Sequence, residues 1–144
     1  APDWFDGLRG HWPHLRWEED IELHQLMKLT VNAVINPLTA LHDCANGILV
    51  EDPALAREAT ALAREVDTIL RALRPDWPGH TAERSLGVAR DTAANTSSMR
   101  SDFRRGDDTE IDFINGWLIQ RADELGIAAP INKHLCRRIR DRSA

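Results

Sequence analysis

The sequence lacks the residues that mark several common classes of protein. It contains no tyrosine and only two cysteines, Cys44 and Cys136. Two cysteines form neither a disulfide framework nor a set of zinc ligands, so a reducing cytoplasm is the expected environment. No apolar run approaches the roughly 20 residues that a membrane span requires, and the N-terminus has no signal-peptide pattern. We therefore expect a cytoplasmic protein with no membrane partner.

Positive charge is also scarce, and lysine most of all. The chain carries 18 basic and 23 acidic side chains, a net charge of −5, which argues against a nucleic-acid partner. The only lysines are Lys28 and Lys133. Arginine keeps its proton above a pKa of about 12, whereas lysine, near 10.4, is able to donate one. The rarity of lysine weakly indicates a general acid, although codon bias explains the arginine excess equally well.

Motifs for cofactors, phosphates and metals are missing as well. The sequence has no glycine-rich loop of a dinucleotide-binding domain, no P-loop and no nucleophile elbow. Its six histidines show no metal-binding spacing on a predicted helix. We therefore expect no metal site.

What the sequence does contain is a succession of helical patterns. Its 144 residues suit one compact domain, and from Glu18 onward apolar residues recur at helical intervals. The first helix is apolar on nearly all sides, as in a buried helix, and Pro37 is expected to end or kink it. Asp52 and Pro53 predict the start of a second long helix, which reaches Leu73. The pattern predicts an all-α, compact multi-helix domain.

Turn signals separate the shorter helices. Asn46-Gly47 is a turn, Thr81 is a candidate cap, and Thr109 with Asp112 resembles a capping box. The further helices are predicted over residues 81–94, 98–103, 110–125 and 131–140, with Gly126 ending the third of them.

The opening residues 1–17 differ from the rest in being aromatic and irregular. They suggest no more than a helical turn over residues 3–8 and a short strand over residues 15–17.

One face of the first helix carries the clearest candidate site. Lys28, Asn32 and Asn36 are spaced four residues apart, which places them within about 80° of one another on a stripe about 12 Å long. An unpaired polar group in a buried helix costs about 1–3 kcal/mol, so a polar ligand along the stripe would satisfy it. Alternatively, the stripe belongs to a half-exposed helix and faces water. The spacing alone does not decide between these interpretations.

A second candidate site lies at the predicted helix start formed by residues 95–98 (NTSS). Hydroxyl groups and free backbone N–H groups at such a start form a cradle for an anion such as a carboxylate. Ordinary helix capping is the simpler interpretation. Glu110, at the start of a later helix, is likewise explained by a favourable interaction with the helix dipole.

These segments resemble one known family. Residues 28–40 (KLTVNAVINPLTA) closely resemble the signature that opens the C-terminal domain of ketopantoate reductase, 2-dehydropantoate 2-reductase. Three further blocks follow in the family's order and spacing: residues 46–47 (NG), 95–99 (NTSSM) and 109–116 (TEIDFING). Residues 126–130 and Asn132 also fit, so the resemblance covers most of the chain from Glu18 to about Arg138.

The resemblance implies a function. The family reduces ketopantoate to pantoate with NADPH, in pantothenate and coenzyme A biosynthesis. Lys28 matches the lysine that acts as general acid toward the carbonyl oxygen. Asn32, Asn36 and Asn46 match substrate-binding asparagines, of which the first two hold the hydroxyl and keto end. The remaining matches are Ser98, for the serine that binds the carboxylate, and Glu110, for the acid that contacts substrate and cofactor.

The chain departs from the family pattern in two ways. Asp107 and Asp108 stand where members often carry a basic residue. The Rossmann domain that binds NADPH in the family is also missing, which makes residues 1–17 a remnant of the end of that domain and residues 18–144 the helical substrate-binding domain. We therefore expect the 144-residue chain to be inactive alone. The alternatives are a non-catalytic helical interaction module, such as a homodimer, and a domain of a related 2-oxo acid reductase.

Overall fold

The predicted all-α fold is confirmed. The computed structural model describes the backbone of residues 1–143 and the side chains of residues 1–141, and this part of the chain contains eight helices and no strand. The helices are α1 (Phe5–Arg9), α2 (Ile21–Leu41), α3 (Ile48–Glu51), α4 (Pro53–Leu73), α5 (Thr81–Asp91), α6 (Ser98–Arg105), α7 (Ile111–Glu124) and α8 (Pro130–Ser143).

Helix α2 lies at the centre of the fold, since α3 to α8 all pack against it. The core is aliphatic, and each large side chain that it buries contributes about 1.5–3 kcal/mol. Its fully buried leucines are Leu38, Leu49, Leu62, Leu70, Leu118 and Leu135. The helices around α2 therefore fix its position from several sides.

Helix α4 begins as predicted. The side-chain oxygen Oδ1 of Asp52 accepts hydrogen bonds from the backbone N–H groups of Ala54 and Leu55, at 2.7 and 3.3 Å. Pro53 takes the first helical position, where its missing N–H leaves no bond unmade. The predicted end at Leu73 is also confirmed.

Of the two outcomes predicted for Pro37, an end of the first helix is not found, because α2 continues through Pro37 to Leu41. A proline inside a helix leaves the carbonyl four residues earlier without its N–H donor, which here is the carbonyl of Ala33. Asn115 of α7 replaces that donor, with Nδ2 lying 2.9 Å from the Ala33 oxygen. The helix continues because another helix supplies the missing bond.

The short strand expected over residues 15–17 is wrong, although the helical turn nearby is present as α1. Extended residues count as a strand only when they pair with a neighbouring strand, and none exists in the described part of the chain. The segment instead clusters its aromatic rings. The Phe5 ring is buried, with centroids 6.3 Å from Trp4 and 5.5 Å from Trp17.

The helix start expected at Thr81 is held differently from the prediction. Thr81 is the first residue of α5 rather than its cap, and the buried carboxylate of Asp67 in α4 accepts bonds from both its N–H and its hydroxyl group. The same carboxylate accepts a 2.8 Å hydrogen bond from Nε1 of Trp77. A carboxylate from a neighbouring helix therefore accepts the hydrogen bond from the start of α5 that a local cap residue would otherwise accept.

The predicted capping box of α7 is wrong. Glu110 occupies the cap position without a side-chain hydrogen bond, and Asp112 accepts a bond from Nε of Arg140 at 2.9 Å instead. The predicted end of this helix holds. Gly126 adopts a φ of 67°, which glycine tolerates without strain, and the Ile127 N–H bonds back to the Ala122 carbonyl at 2.8 Å.

Candidate functional site

The polar stripe of α2 runs from the surface into the domain. Lys28 is exposed, Asn32 is half-buried and Asn36 is 8% exposed. The expectation that this helix is buried on nearly all sides is correct for residues 30–41 but wrong for residues 21–29, where Ile21 is 58% exposed. The stripe is therefore neither wholly buried nor a purely solvated face.

Lys28 differs from Lys133 in its surroundings. Within the described residues, Lys28 makes no hydrogen bond and no ion pair, whereas Nζ of Lys133 lies 2.7 Å from Oδ1 of Asp123. The ammonium group of Lys28 is thus available to a ligand, while that of Lys133 already has an anionic partner.

The start of α6 is attached to α2 one turn beyond Asn36. The hydroxyl oxygens of Thr39 and Ser97 are 2.7 Å apart in a buried contact, and Thr39 also lies 2.8 Å from the Ile35 carbonyl, to which it donates. Ser97 in turn accepts a hydrogen bond from the backbone N–H of Arg100 at 3.1 Å. This places the N-terminus of α6, and with it Ser98, beside the inner end of the stripe.

The two serines at this helix start have different surroundings. Ser97 is buried and serves as the helix cap, so the simpler interpretation of the NTSS segment is correct for this residue. The hydroxyl group of Ser98 is exposed and has no hydrogen-bond partner among the described residues. The first N–H groups of a helix also lack partners within it. Of the two serines, only Ser98 therefore has a hydroxyl group that is free to meet a ligand.

Arg100 brings a positive charge to the same helix start, and sequence reasoning missed it. Its side chain is 14% exposed, and Nε lies 2.9 Å from Oδ1 of Asp43. Nη1 also approaches the hydroxyl group of Thr96 at 3.3 Å. Nothing in an arginine-rich sequence distinguishes this arginine, because its partner Asp43 is 57 residues away.

Asn46 is docked against the segment that precedes α6. The backbone N–H groups of Asn46 and Gly47 donate to the carbonyls of Asn95 and Ala93, at 3.1 and 3.0 Å. The contact requires glycine at position 47, since a Cβ there would lie 2.7 Å from the Cβ of Ala93. The predicted turn is thus confirmed, and it brings Asn46 to the same region as Ser98.

The side-chain amide of Asn46 has a fixed orientation. Its Nδ2 donates to the hydroxyl group of Thr92 at 2.9 Å, and that hydroxyl group donates its own proton to the Val88 carbonyl at 2.7 Å. The Thr92 oxygen can therefore only accept from Asn46. Oδ1 of Asn46 is left buried, without a hydrogen-bond partner in the described part of the protein.

Glu110 is the remaining predicted site residue. It is exposed at the start of α7, and no side-chain hydrogen bond or ion pair links it to another described residue. Next to it is an open surface cavity of about 430 Å³. That cavity is lined by Asp108, Thr109, Ile111, Asp112, Phe113 and Arg140, among others. The hydrogen bonds thus bring Asn36, Asn46 and Ser98 to one region, and none among the described residues joins the Glu110 side chain to it.

Cys44, close to this region in the sequence, is a poor nucleophile. Burial raises the pKa of its thiol group, an effect that the nearby charge of Arg100 only partly offsets. A thiol with a raised pKa remains protonated at neutral pH. A thiolate mechanism is therefore not favoured.

Metal and membrane features are not found among the described residues. No three of their histidine, cysteine, aspartate and glutamate side chains are grouped so as to hold a metal ion. None of the helices over residues 1–143 combines the length and apolar character needed to cross a bilayer.

The chain belongs to the family described as ketopantoate reductase PanE/ApbA C terminal, whose pattern matches residues 20–143. It is 39% identical over 130 residues to the 2-dehydropantoate 2-reductase of Pyrobaculum aerophilum and 38% identical over 125 residues to that of Vibrio cholerae. These alignments cover 90% and 86% of this chain but 47% and 42% of the relatives. The chain thus spans less than half the length of these curated relatives.

A solved structure supports the same assignment. The probable 2-dehydropantoate 2-reductase of Bacillus subtilis superimposes with a TM-score of 0.73 at 35% identity, over 81% of this chain and 39% of that chain. The resemblance inferred from the sequence motifs is confirmed at the level of the family.

Proposed function

We propose that this chain is the substrate-binding and proton-donating part of an NADPH-dependent 2-dehydropantoate 2-reductase. The reaction would convert ketopantoate to pantoate in pantothenate and coenzyme A biosynthesis. One observation carries the proposal: an unpaired lysine lies at the open end of a polar stripe, and the contact of Thr39 with Ser97 places the helix start that carries the unpaired Ser98 next to the inner end. Membership of the ketopantoate reductase family supports it.

The inner end of the stripe suits the carboxylate of the substrate. The N-terminus of α6 attracts negative charge, and Ser98 adds a hydroxyl donor. Arg100 adds a positive charge close by, although Asp43 already pairs with it. Ser98 is therefore the residue to which we assign the carboxylate.

The asparagines suit the hydroxyl and keto groups. A side-chain amide offers both a donor and an acceptor, so Asn32 and Asn36 can each bind a hydroxyl or a carbonyl oxygen. Asn46 is more restricted, because Thr92 engages its Nδ2 and leaves the buried Oδ1 as its unpaired atom. Only a donor such as a hydroxyl group matches that oxygen. This restriction favours a hydroxylated oxo acid over a plain one.

Lys28 has the properties of a general acid. Reduction of a ketone delivers a hydride to carbon and a proton to oxygen, and a positioned acid typically accelerates proton transfer 10²–10⁴-fold, as an order-of-magnitude figure. The ammonium group of Lys28 would protonate the carbonyl oxygen as the alkoxide develops. Because Lys28 is exposed, water can return the proton to it between turnovers.

The described residues of this chain offer the cofactor a single contact, at Glu110, and no site for its pyrophosphate. The described residues contain no strand followed by a glycine-rich loop, so they offer no cradle for a pyrophosphate. Glu110 is exposed and able to accept a hydrogen bond from a ribose or amide group, which is the contact we assign to it. NADPH, when bound, supplies the hydride. We propose that residues outside this chain bind most of it, with residues 1–17 the end of that cofactor domain and residues 18–144 the substrate domain.

The experiment uses a fused reductase, in which this chain is joined to the part of the Vibrio cholerae relative that lies outside the matched region. We expect the fused reductase to oxidise NADPH when ketopantoate is added, and neither half to do so alone. Turnover by the pure 144-residue chain would contradict its proposed inactivity. A folded fused reductase that binds NADPH but leaves ketopantoate unreduced would contradict the proposed function.

Substrate choice is tested with the same protein. A panel of 2-oxo acids with and without a hydroxyl group separates ketopantoate from related substrates. We expect kcat/KM for ketopantoate to exceed that for its analogue without the hydroxyl group by about tenfold or more, since an unmatched buried acceptor costs about 1–3 kcal/mol. Equal values would assign the chain to a less selective 2-oxo acid reductase.

A further inference from the structure

A chain of hydrogen bonds through α4, α8 and α7 reaches α2 at the middle of the polar stripe. Asn115 of α7 is fully buried, and its Nδ2 lies 2.9 Å from both the Ala33 carbonyl and Oδ1 of Asn132. Nδ2 of Asn132, in α8, donates to Oε1 of Glu65 in α4 at 2.9 Å. The chain therefore runs from a carboxylate in α4, through α8 and α7, to a backbone carbonyl in α2.

Glu65 holds this chain in one orientation. Its two carboxylate oxygens also accept the backbone N–H groups of Ile131 and Asn132, at 2.9 and 2.8 Å. A carboxylate only accepts, so the amide of Asn132 must direct its nitrogen toward Glu65 and its oxygen toward Asn115. That oxygen then requires the nitrogen of Asn115, which leaves the same nitrogen to donate to Ala33. The orientation of every amide in the chain is thus determined.

The carbonyl of Ala33 is the one that Pro37 leaves without a donor. It belongs to the residue that follows Asn32, and Asn36 lies just before Pro37. Asn115 therefore holds α2 at the segment that carries both asparagines of the stripe. A regular helix would satisfy this carbonyl internally and would need no such link.

We propose that Asn115 is a positioning residue, which holds the carbonyl freed by Pro37 and thereby fixes the part of α2 that presents Asn32 and Asn36. The role of those asparagines rests on the proposed function. The link between Asn115 and Pro37 rests only on the hydrogen bonds above.

The link is tested by a double-mutant cycle of the 144-residue chain, comparing the parent with P37A, N115A and P37A/N115A in thermal melts. We expect N115A to lower Tm by about 6–12 °C, because it leaves buried acceptors unpaired in a domain of this size. P37A restores an N–H donor to Ala33, so it should raise Tm by several degrees in the N115A protein and leave the parent unchanged or less stable. Additive Tm changes would overturn the link.

Positioning is tested by the dissociation constant for pantoate, measured well below Tm. We expect N115A to weaken binding at least about threefold. The matched control is T81A, which removes a buried hydrogen bond to Asp67 away from the stripe and should lower Tm while leaving the dissociation constant within about 1.5-fold. Equal weakening by both variants would overturn the positioning role. A parent chain that binds no pantoate would count against the proposed function, while the double-mutant cycle would still decide the link to Pro37.

Discussion

The two parts of helix α2 belong to one continuous helix but lie in different environments. Residues 21–29 are largely exposed or half-buried, and Oδ1 of Asp20 caps their start by accepting the Leu23 N–H at 3.0 Å. Residues 30–41 are buried or half-buried and have helices packed on several sides. Residues 21–29 include the charged side chains of Glu22 and Lys28, whereas residues 30–41 include none. The difference in burial therefore follows both the charge of each part and the helices that pack against it.

The contrast between an exposed and a buried part of α2 suits the proposed chemistry. An ammonium group keeps its hydration and its charge at the exposed part of the helix, whereas desolvation in a core would penalise the charged form. The asparagines are uncharged and tolerate the deeper positions if their amides find partners. The proposed general acid and the proposed substrate-orienting groups therefore occupy the part of α2 that suits each.

The largest expected effect lies at the exposed part. In the fused reductase, K28A should lower kcat by about 10²–10⁴-fold, because the carbonyl oxygen loses its proton donor. The thermal midpoint should hardly change, since the side chain is exposed and unpaired within the described residues. Steady-state kinetics and a thermal melt measure the two quantities.

The other lysine provides the matched control. K133A removes the same charge from a side chain whose partner is Asp123, away from the stripe, and should leave kcat within about twofold. Similar losses of kcat in K28A and K133A would show that net charge, rather than a specific acid, explains the effect.

The next largest effect lies at the buried part. L38A should lower the free energy of unfolding by about 2–5 kcal/mol, because it leaves a cavity where Leu38 is fully buried. The corresponding change in the exposed part, I21A, should stay within about 0.5 kcal/mol. Urea denaturation measures both. Comparable losses would mean that the two parts of α2 are equally packed, contrary to the structure.

The neighbouring serines should separate stability from binding. S97A removes a helix cap and should lower the free energy of unfolding by about 0.5–2 kcal/mol. S98A should leave stability unchanged and weaken pantoate binding by about tenfold, since a hydrogen bond to a charged group contributes about 1.5–3 kcal/mol. Denaturation and calorimetric titration distinguish them. An S98A protein that binds pantoate normally would remove Ser98 from the site.

The smallest effect concerns the start of α2 in acid. Hydrogen bonding from Arg74, followed by that from the Leu23 N–H, lowers the pKa of Asp20 below its ordinary value of 3.8. A lowered pKa in the folded state stabilises the protein above the unfolded pKa, and this contribution is lost as pH falls through the folded pKa. The Tm difference between the parent and D20N should therefore be largest near neutral pH and shrink below about pH 4. A constant difference across this range would contradict the assignment.

Most helix starts, helix ends and turns could be predicted from the sequence because residues close by in the sequence determine them. Asp52 and Pro53 start α4, Gly126 ends α7, and the Asn46-Gly47 turn is present. The errors arise where a distant residue replaces a local signal. Asp67 holds the start of α5, and Asn115 lets α2 continue through Pro37.

The candidate site likewise has a part fixed by local sequence and a part fixed by distant contacts. The spacing of Lys28, Asn32 and Asn36 on one stripe could be predicted, since a helix fixes it. The contact of Thr39 with Ser97 joins residues 58 positions apart. The position of α6 next to the stripe could therefore not be predicted from the spacing of residues in the sequence. The need for a donor at the Ala33 carbonyl was implicit in Pro37, but its source was not.

The central claim is that pantoate or ketopantoate lies along the stripe of α2, between Lys28 and the start of α6. The most direct measurement is a titration of the ¹⁵N-labelled 144-residue chain with pantoate, followed by the NMR shifts of assigned amides. We predict saturable shifts concentrated at Lys28, Asn32, Asn36 and Ser98, together with the side-chain amide of Asn46. No saturable shift at these residues, or shifts confined to the cavity beside Asp108 and Phe113, would contradict the account.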